Sequence, residues 1–192
     1  MKEKIAVITG ASSGIGRAAS LLFAQNGAHV IAVGRNQHEL GNLRDEARKA
    51  DGSIRTHLAD LTEVSQVDRL VTDTIEHFGR IDILVNSAGM IKTGSIEDTT
   101  LDDWDKMMNV NLRSMFYLTQ KCVPFLVQSK GNIVNVSSVT GTRAFPNVLA
   151  YCVSKAATDQ LTRCSALELA AKGVRVNAVN PGVVITNLHK RG

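Results

Sequence analysis

The stretch "TGASSGIG", Thr9 to Gly16, decides how the rest of this chain is read. It follows the apolar run "KIAVIT" (residues 4–9) and opens the helical pattern "GIGRAASLLFAQNG" (residues 14–27). Strand, glycine turn and helix in that order form the setting of a phosphate-binding turn. Gly10 permits a tight exit from the strand, Gly14 lets the backbone approach a pyrophosphate, and Gly16 lets the helix pack closely on the sheet. The first N–H groups of the helix, with the positive end of its dipole, then face the anion. A glycine-rich turn without a ligand is the plain alternative for the pattern alone.

Outward from the turn, apolar runs alternate with helical patterns. The runs are "AHVIAV" (28–33), "SIRTHL" (53–58), "IDILVN" (81–86), "GNIVNVS" (131–137) and "VRVNAVN" (174–180). The helical patterns cover 37–50, 63–78, 101–128 and 150–171, with Pro124 expected to kink or end the third. Runs rich in Val and Ile, apolar on both faces and separated by helices, predict a parallel sheet covered on both sides. Six such units predict an α/β fold, a doubly wound parallel sheet in three αβα layers with right-handed crossovers. Ligands of such sheets bind beyond the carboxyl ends of the strands, so the residues just after each strand carry the chemistry.

Length and composition fit one domain over 1–192: 192 residues, 44% apolar and 21% charged. Aromatics are only 4%, so the core must rest on aliphatic residues and alanine. The net charge of +4 is scattered, with "HKRG" (189–192) the single basic cluster. That pattern does not suit a nucleic-acid interface, which needs a basic stripe with interleaved aromatics. Cys122, Cys152 and Cys164 show no CxxC or Cys/His spacing, and the five histidines are scattered, so no metal site is expected. Three unpatterned cysteines suit a reducing compartment, the cytoplasm, with import into an organelle left open. The start "MKEKIAVITG" has too short an apolar run for a signal peptide, and no run reaches a membrane span.

Two further stretches narrow the ligand and the chemistry. At the end of the second run, "VIAVGRN", Gly34 supplies no carboxylate, and Arg35 supplies a fork of donors suited to a 2′-phosphate. This favours NADP(H) over NAD(H); its rival is that Arg35 is a solvated loop charge. In "YCVSK" (151–155), Tyr151 and Lys155 stand one helical turn apart. By itself the pair fits an ordinary helix surface. Beside Ser138, which follows the fifth run, it fits a phenol acidified by a neighbouring ammonium. Asn111 lies inside a helical pattern where a buried amide needs partners; a relay water is one reading and a helix-bending amide another. Cys152, Trp104 and the pair Met107/Met108 read as packing residues.

Six motifs in order, "TGASSGIG", "NSAG" (86–89), "NVN" (109–111), "NVSS" (135–138), "YCVSK" and "NPG" (180–182), resemble the short-chain dehydrogenase/reductase family over essentially the whole chain. In look the sequence is most similar to the 3-oxoacyl-carrier-protein reductase and carbonyl reductase branch. The resemblance implies a Rossmann fold and a ketone/secondary-alcohol oxidoreductase. Tyr151 is then the catalytic acid/base, Lys155 the residue that holds the nicotinamide ribose and depresses the tyrosine pKa, Ser138 the substrate hydrogen bond, and Asn111 the anchor of a proton-relay water. The cofactor turn matches Gly10, Ser12, Ser13, Gly14, Ile15 and Gly16. Asp60 and Leu61 contact the adenine, and Asn86, Ala88 and Gly89 line the adenosine side. Pro181, Gly182, Val184 and Thr186 lie by the nicotinamide. A homodimer or homotetramer is implied, through the 101–128 and 150–171 helices.

The departures are Ser87 for a second asparagine and Ser13 where many NADP users carry a basic residue. Family members also run on for some further tens of residues, which supply a substrate lid and a seventh strand; the C-terminal part is expected to be missing here. Two rivals remain: a hydroxysteroid or other lipid alcohol dehydrogenase, and a non-catalytic cofactor-binding sensor or scaffold on the same fold.

Overall fold

The computed structural model describes residues 1–186; the basic cluster at 189–192 lies outside the described residues. Six strands, β1 (Ile5–Thr9), β2 (His29–Gly34), β3 (Ser53–Leu58), β4 (Ile83–Asn86), β5 (Asn132–Val136) and β6 (Arg175–Val179), join into one sheet. Its order is β3-β2-β1-β4-β5-β6, and every pairing is parallel. The connecting helices are α1 (Gly14–Gln25), α2 (Gln37–Glu46), α3 (Val64–Phe78), α4 (Leu101–Met108), α5 (Ser114–Ser129) and α6 (Leu149–Ala170). This is the doubly wound Rossmann arrangement. The order reverses between β1 and β4, so the connections leaving those strands part and open a crevice at the carboxyl edge.

The two-residue period of each strand splits the core in two. Ile5 and Val7 of β1 join Leu84, Leu118, Leu126, Ile133 and Val176 on the α3, α5 and α6 side. Ala6 and Ile8 join Val30, Leu40 and Leu43 on the α1 and α2 side. Much of that second core is alanine (Ala6, Ala11, Ala24, Ala28, Ala32), which lets α1 lie close to the sheet. Coverage of both faces holds around β1 and β2. On β5 and β6 the second face is open among the described residues: Val134 is half-buried, and Arg175, Asn177 and Val179 are exposed.

Between α4 and α5 the chain makes a π-helical turn over Asn109–Arg113, a feature the apolar pattern does not encode. Pro124 neither ends α5 nor interrupts it, since the helix continues to Ser129. Pro124 is solvent-exposed, so the carbonyl deprived of its partner one turn back can be hydrated.

At the amino edge of the sheet, Asp82 is a buried ion with three donors. Its carboxylate accepts from the Ile5 N–H at 3.0 Å, Lys4 Nζ at 3.1 Å and Arg80 Nη2 at 2.5 Å. Burial works against its charge, but those donors outweigh burial and hold the carboxyl below its ordinary value. Its backbone carbonyl also accepts from Asn132 N–H, so one residue fastens β1, β4 and the start of β5. No helix among the described residues is long and apolar enough to cross a membrane.

Candidate active site

The carboxyl edge holds a cleft of about 1030 Å³, at or above the upper end of ordinary small-molecule sites (about 300–1,000 Å³). The glycine turn forms one wall. Gly10 has φ 66°, and a Cβ there would fall 2.8 Å from the Ser87 carbonyl oxygen. A Cβ on Gly16 would fall 2.6 Å from the carbonyls of Thr9 and Gly10, so α1 can start where it does only with glycine. Thr9 Oγ accepts from the Ser87 and Ala88 N–H groups at 2.9 and 3.0 Å, pinning the β4 exit against the β1 exit. Ser13 occupies the N-cap of α1 yet makes no capping hydrogen bond. The Ser13 side chain therefore leaves the first-turn N–H groups uncapped, and a pyrophosphate fits this cradle. Gly10, Ser12, Ser13, Gly14 and Ile15 line the cleft; Gly16 lies behind it as packing.

One end of the cleft is set by Gly34, Arg35, Asp60 and Leu61, which all line it. A Cβ on Gly34 would come within 3.2 Å of the Ser12 side chain, so a ribose-binding carboxylate at 34 would have to displace Ser12. Arg35 is 70% exposed and pairs with Asp60 at 3.5 Å. Asp60 is itself fixed by the N–H and hydroxyl of Thr62, at 3.0 and 2.7 Å. Burial opposes its charge, but Thr62 and Arg35 prevail and hold the carboxyl below its ordinary value.

Ala88 and Gly89 reach the cleft as expected. Asn86 does not line it with its side chain. Buried between the helix layers, Asn86 Nδ2 donates to Thr119 Oγ at 3.1 Å and Asn135 Oδ1 at 2.9 Å. Asn135 Nδ2 in turn reaches Thr162 Oγ at 2.9 Å. This buried ladder runs from α5 through β4 and β5 to α6. Pro181, Gly182, Val184 and Thr186 close the other end of the cleft, with Thr186 against Gly14.

Ser138, Tyr151 and Lys155 meet at the centre. The β5 exit delivers Ser138, whose Oγ accepts from the Thr140 N–H at 3.2 Å. Helix α6 delivers the other two. Its buried stripe, Tyr151, Ser154, Lys155, Thr158, Asp159 and Thr162, follows helical spacing yet is polar throughout. Ser154, Thr158 and Thr162 satisfy their hydroxyls on carbonyls one turn back. Lys155 Nζ donates to the Val136 carbonyl at 2.8 Å and lies 5.6 Å from the Tyr151 ring centroid. Burial brings its pKa down to about 8, against the attraction of Asp159. Burial also pushes the Tyr151 phenol above its ordinary value, and Ser138 beside it pulls the other way. Desolvation thus moves both groups toward their neutral forms, the phenol up and the ammonium down, whereas the Tyr–Lys spacing alone predicts a lowered phenol.

Asn111 is fully buried in the π-helical turn. Its Nδ2 donates to the Met90 carbonyl at 2.9 Å and Ser154 Oγ at 3.0 Å, and its Oδ1 accepts from Met90 N–H at 2.8 Å. These bonds to protein groups moor the β4 exit loop to α6. Residues the sequence reading passed over are Thr9, Asp159 and Asn180. Their signal was a polar residue at a strand end or on the inward stripe of a helix. No cluster of three or more metal-ligating side chains occurs among the described residues.

Fold and cradle together define a nucleotide-binding oxidoreductase. The family model for short chain dehydrogenase matches residues 4–191, and the chain belongs to the short-chain dehydrogenase/reductase family. It is an enzyme acting on CH–OH groups with NAD(P). A 3-oxoacyl-[acyl-carrier-protein] reductase, FabG of Thermotoga maritima, is 40% identical over 192 residues, covering 100% of this chain and 78% of the relative. Among solved structures, a short-chain dehydrogenase/reductase of Caenorhabditis elegans with cofactor superposes with TM-score 0.94 at 40% identity, over 99% of this chain and 73% of that one. A dehydrogenase/reductase of Sinorhizobium meliloti 1021 gives TM-score 0.94 at 32% identity, over 98% and 75%.

Proposed function

We propose that this chain is one NADP(H)-binding domain that reduces a ketone to a secondary alcohol. The observation that carries this is the convergence of Tyr151, Ser138 and Lys155 at the cleft beside the glycine cradle. When bound, the cofactor supplies a hydride to the carbonyl carbon. The protein's part is to polarise and protonate the oxygen. Ser138 Oγ hydrogen-bonds that oxygen, and the Tyr151 phenol donates its proton. Burial keeps the phenol protonated at neutral pH, the form a reductive general acid needs. The Lys155 ammonium favours the phenolate left behind and would hold the nicotinamide ribose. Asn111 holds the β4 exit loop in register with α6, and its turn is where a relay water would be moored.

Arg35, with no carboxylate at Gly34, supports the preference for the 2′-phosphate form. The similarity to a 3-oxoacyl-[acyl-carrier-protein] reductase supports the reductive direction. Met90, Ile91, Phe145, Pro146 and Val148 make the wall beyond Tyr151 apolar, which also favours the second reading, a lipid-like or steroid alcohol. The sensor reading is disfavoured, because both Tyr151 and Lys155 stand in the cleft.

Assembly as a homodimer or homotetramer is supported by a groove between α4–α5 and α6, where Phe116 is exposed beside Met108, Leu112 and Leu161. Three cysteines without a disulfide suit the cytoplasm. The test is NADPH oxidation by the full-length protein against a carbonyl panel. Absence of both nicotinamide binding and turnover overturns the reading.

A further inference from the structure

Asp159 is a buried carboxylate, 6% exposed, whose hydrogen bonds among the described residues come from one neutral group. Asn180 Nδ2 donates to its Oδ1 at 3.1 Å and its Oδ2 at 3.0 Å. The same Nδ2 donates to the Ser138 carbonyl at 3.0 Å. Asp82, equally buried, has two cations and a backbone N–H. A carboxylate with only an amide for company needs a charge nearby. Lys155 lies one turn back on the same buried stripe, and its own hydrogen bond goes to the uncharged Val136 carbonyl.

Resting on the active-site reading above, we infer that Asp159 is a positioning residue of this site: it balances the buried Lys155 ammonium and, through Asn180, ties Ser138 to the β6 exit. Neither residue touches substrate or cofactor in this role. The surroundings of Lys155 support it. The β5 exit brings the Val136 carbonyl, and the β4 exit brings Gly89, where a Cβ would lie 3.8 Å from Nζ. Helix α6 brings the titratable groups: Tyr151 one turn before, Cys152 next to it, and Asp159 one turn after. Burial disfavours the ammonium, and the attraction of Asp159 opposes burial. Gly141 packs so closely over Asp159 that a Cβ there would collide with Oδ2, which holds the carboxylate in place.

The sign follows. Without the charge at 159, Lys155 gives up its proton at lower pH. Asp159→Asn preserves shape and removes the charge; its one amide oxygen still accepts from Asn180, while the second contact is lost, a loss that Asn180→Ala controls for. The first readout needs no turnover: an NMR titration of the Lys155 Cε/Nζ signals in cofactor-free protein, assigned with Lys155→Met. Wild type should titrate near pH 8. Asp159→Asn should titrate about one unit lower. The second readout is the pH profile of kcat/KM for reduction, whose alkaline limb should move down by the same amount. Asp159→Glu should restore it in part. If Asp159→Asn does not fold, Asp159→Ser serves as the neutral variant. Asn180→Ala keeps the charge and should lower kcat with the limb unmoved. Titration of Lys155 at the same pH in wild type and neutral variant overturns the proposal. A wild type without cofactor binding or turnover overturns the site reading instead, which the first readout distinguishes.

Discussion

Two buried charges stand at opposite ends of the same sheet, and they are built differently. Asp82 at the amino edge has three donors, and its carboxyl is held below its ordinary value. Lys155 at the carboxyl edge has one carbonyl, and burial has lowered its pKa to about 8. A saturated ion holds the fold; an under-compensated one is held poised for chemistry. The sheet is thus fastened at one end and left electrostatically open at the other, where the strand connections part.

The largest effect sharpens the functional end. Tyr151→Phe should lower turnover by roughly 10²–10⁴-fold while NADPH binding and the melting temperature stay close to wild type. Steady-state kinetics beside a cofactor titration checks both halves. Turnover within a few-fold of wild type removes the phenol from the proton step.

Next comes the structural end. Asp82→Asn should destabilise by about 1–2 kcal/mol at neutral pH, because the Ile5 N–H and the half-exposed Lys4 and Arg80 lose a charged acceptor. The sign is that of a carboxyl lowered on folding. Its stabilisation is present above the unfolded value of 3.8 and lost as pH falls through the folded one. Urea unfolding at pH 7 and pH 3 should therefore show the gap closing in acid.

Lys155→Met tests the other end. It should abolish activity, since it removes the ammonium that favours the phenolate. Wild type binds fewer protons folded than unfolded between pH 8 and 10.5, so its stability to urea should rise with pH across that window. That rise should be missing in the variant. A rise of equal size in Lys155→Met would break the contrast between the two ends.

The smallest effect concerns an exposed charge at the open edge. Arg35→Ala should weaken NADPH about tenfold and NADH hardly at all, and added salt should erase the difference. Equal effects on both cofactors would return Arg35 to a solvated loop charge.

Much of this was legible in the chain. The alternation of Val/Ile runs with helical patterns reported the sheet, because strand and helix periods are local properties. The glycine turn reported the cradle, because Gly10 and Gly16 are required by steric contacts at each position. Of the two readings of Pro124, kink or end, the end is excluded, since whether a proline ends a helix depends on which face meets water. Asn86 and Asn111 were found but their side chains were placed differently. Both amides satisfy themselves on partners 21 to 49 residues away, at Met90, Ser154, Thr119 and Asn135.

The sequence by itself determined the element order, the cradle and the identity of Tyr151, Ser138 and Lys155 as residues that belong together. Only the tertiary structure decided their electrostatics. Spacing on a helix says that Lys155 sits one turn from Tyr151; it cannot say that both are desolvated, that Asp159 is buried beside them, or that Asn180 joins that carboxylate to Ser138. The physical reason is that a charge's energy depends on everything within several ångströms, and in this fold those neighbours come from the β4, β5 and β6 exits and from α6.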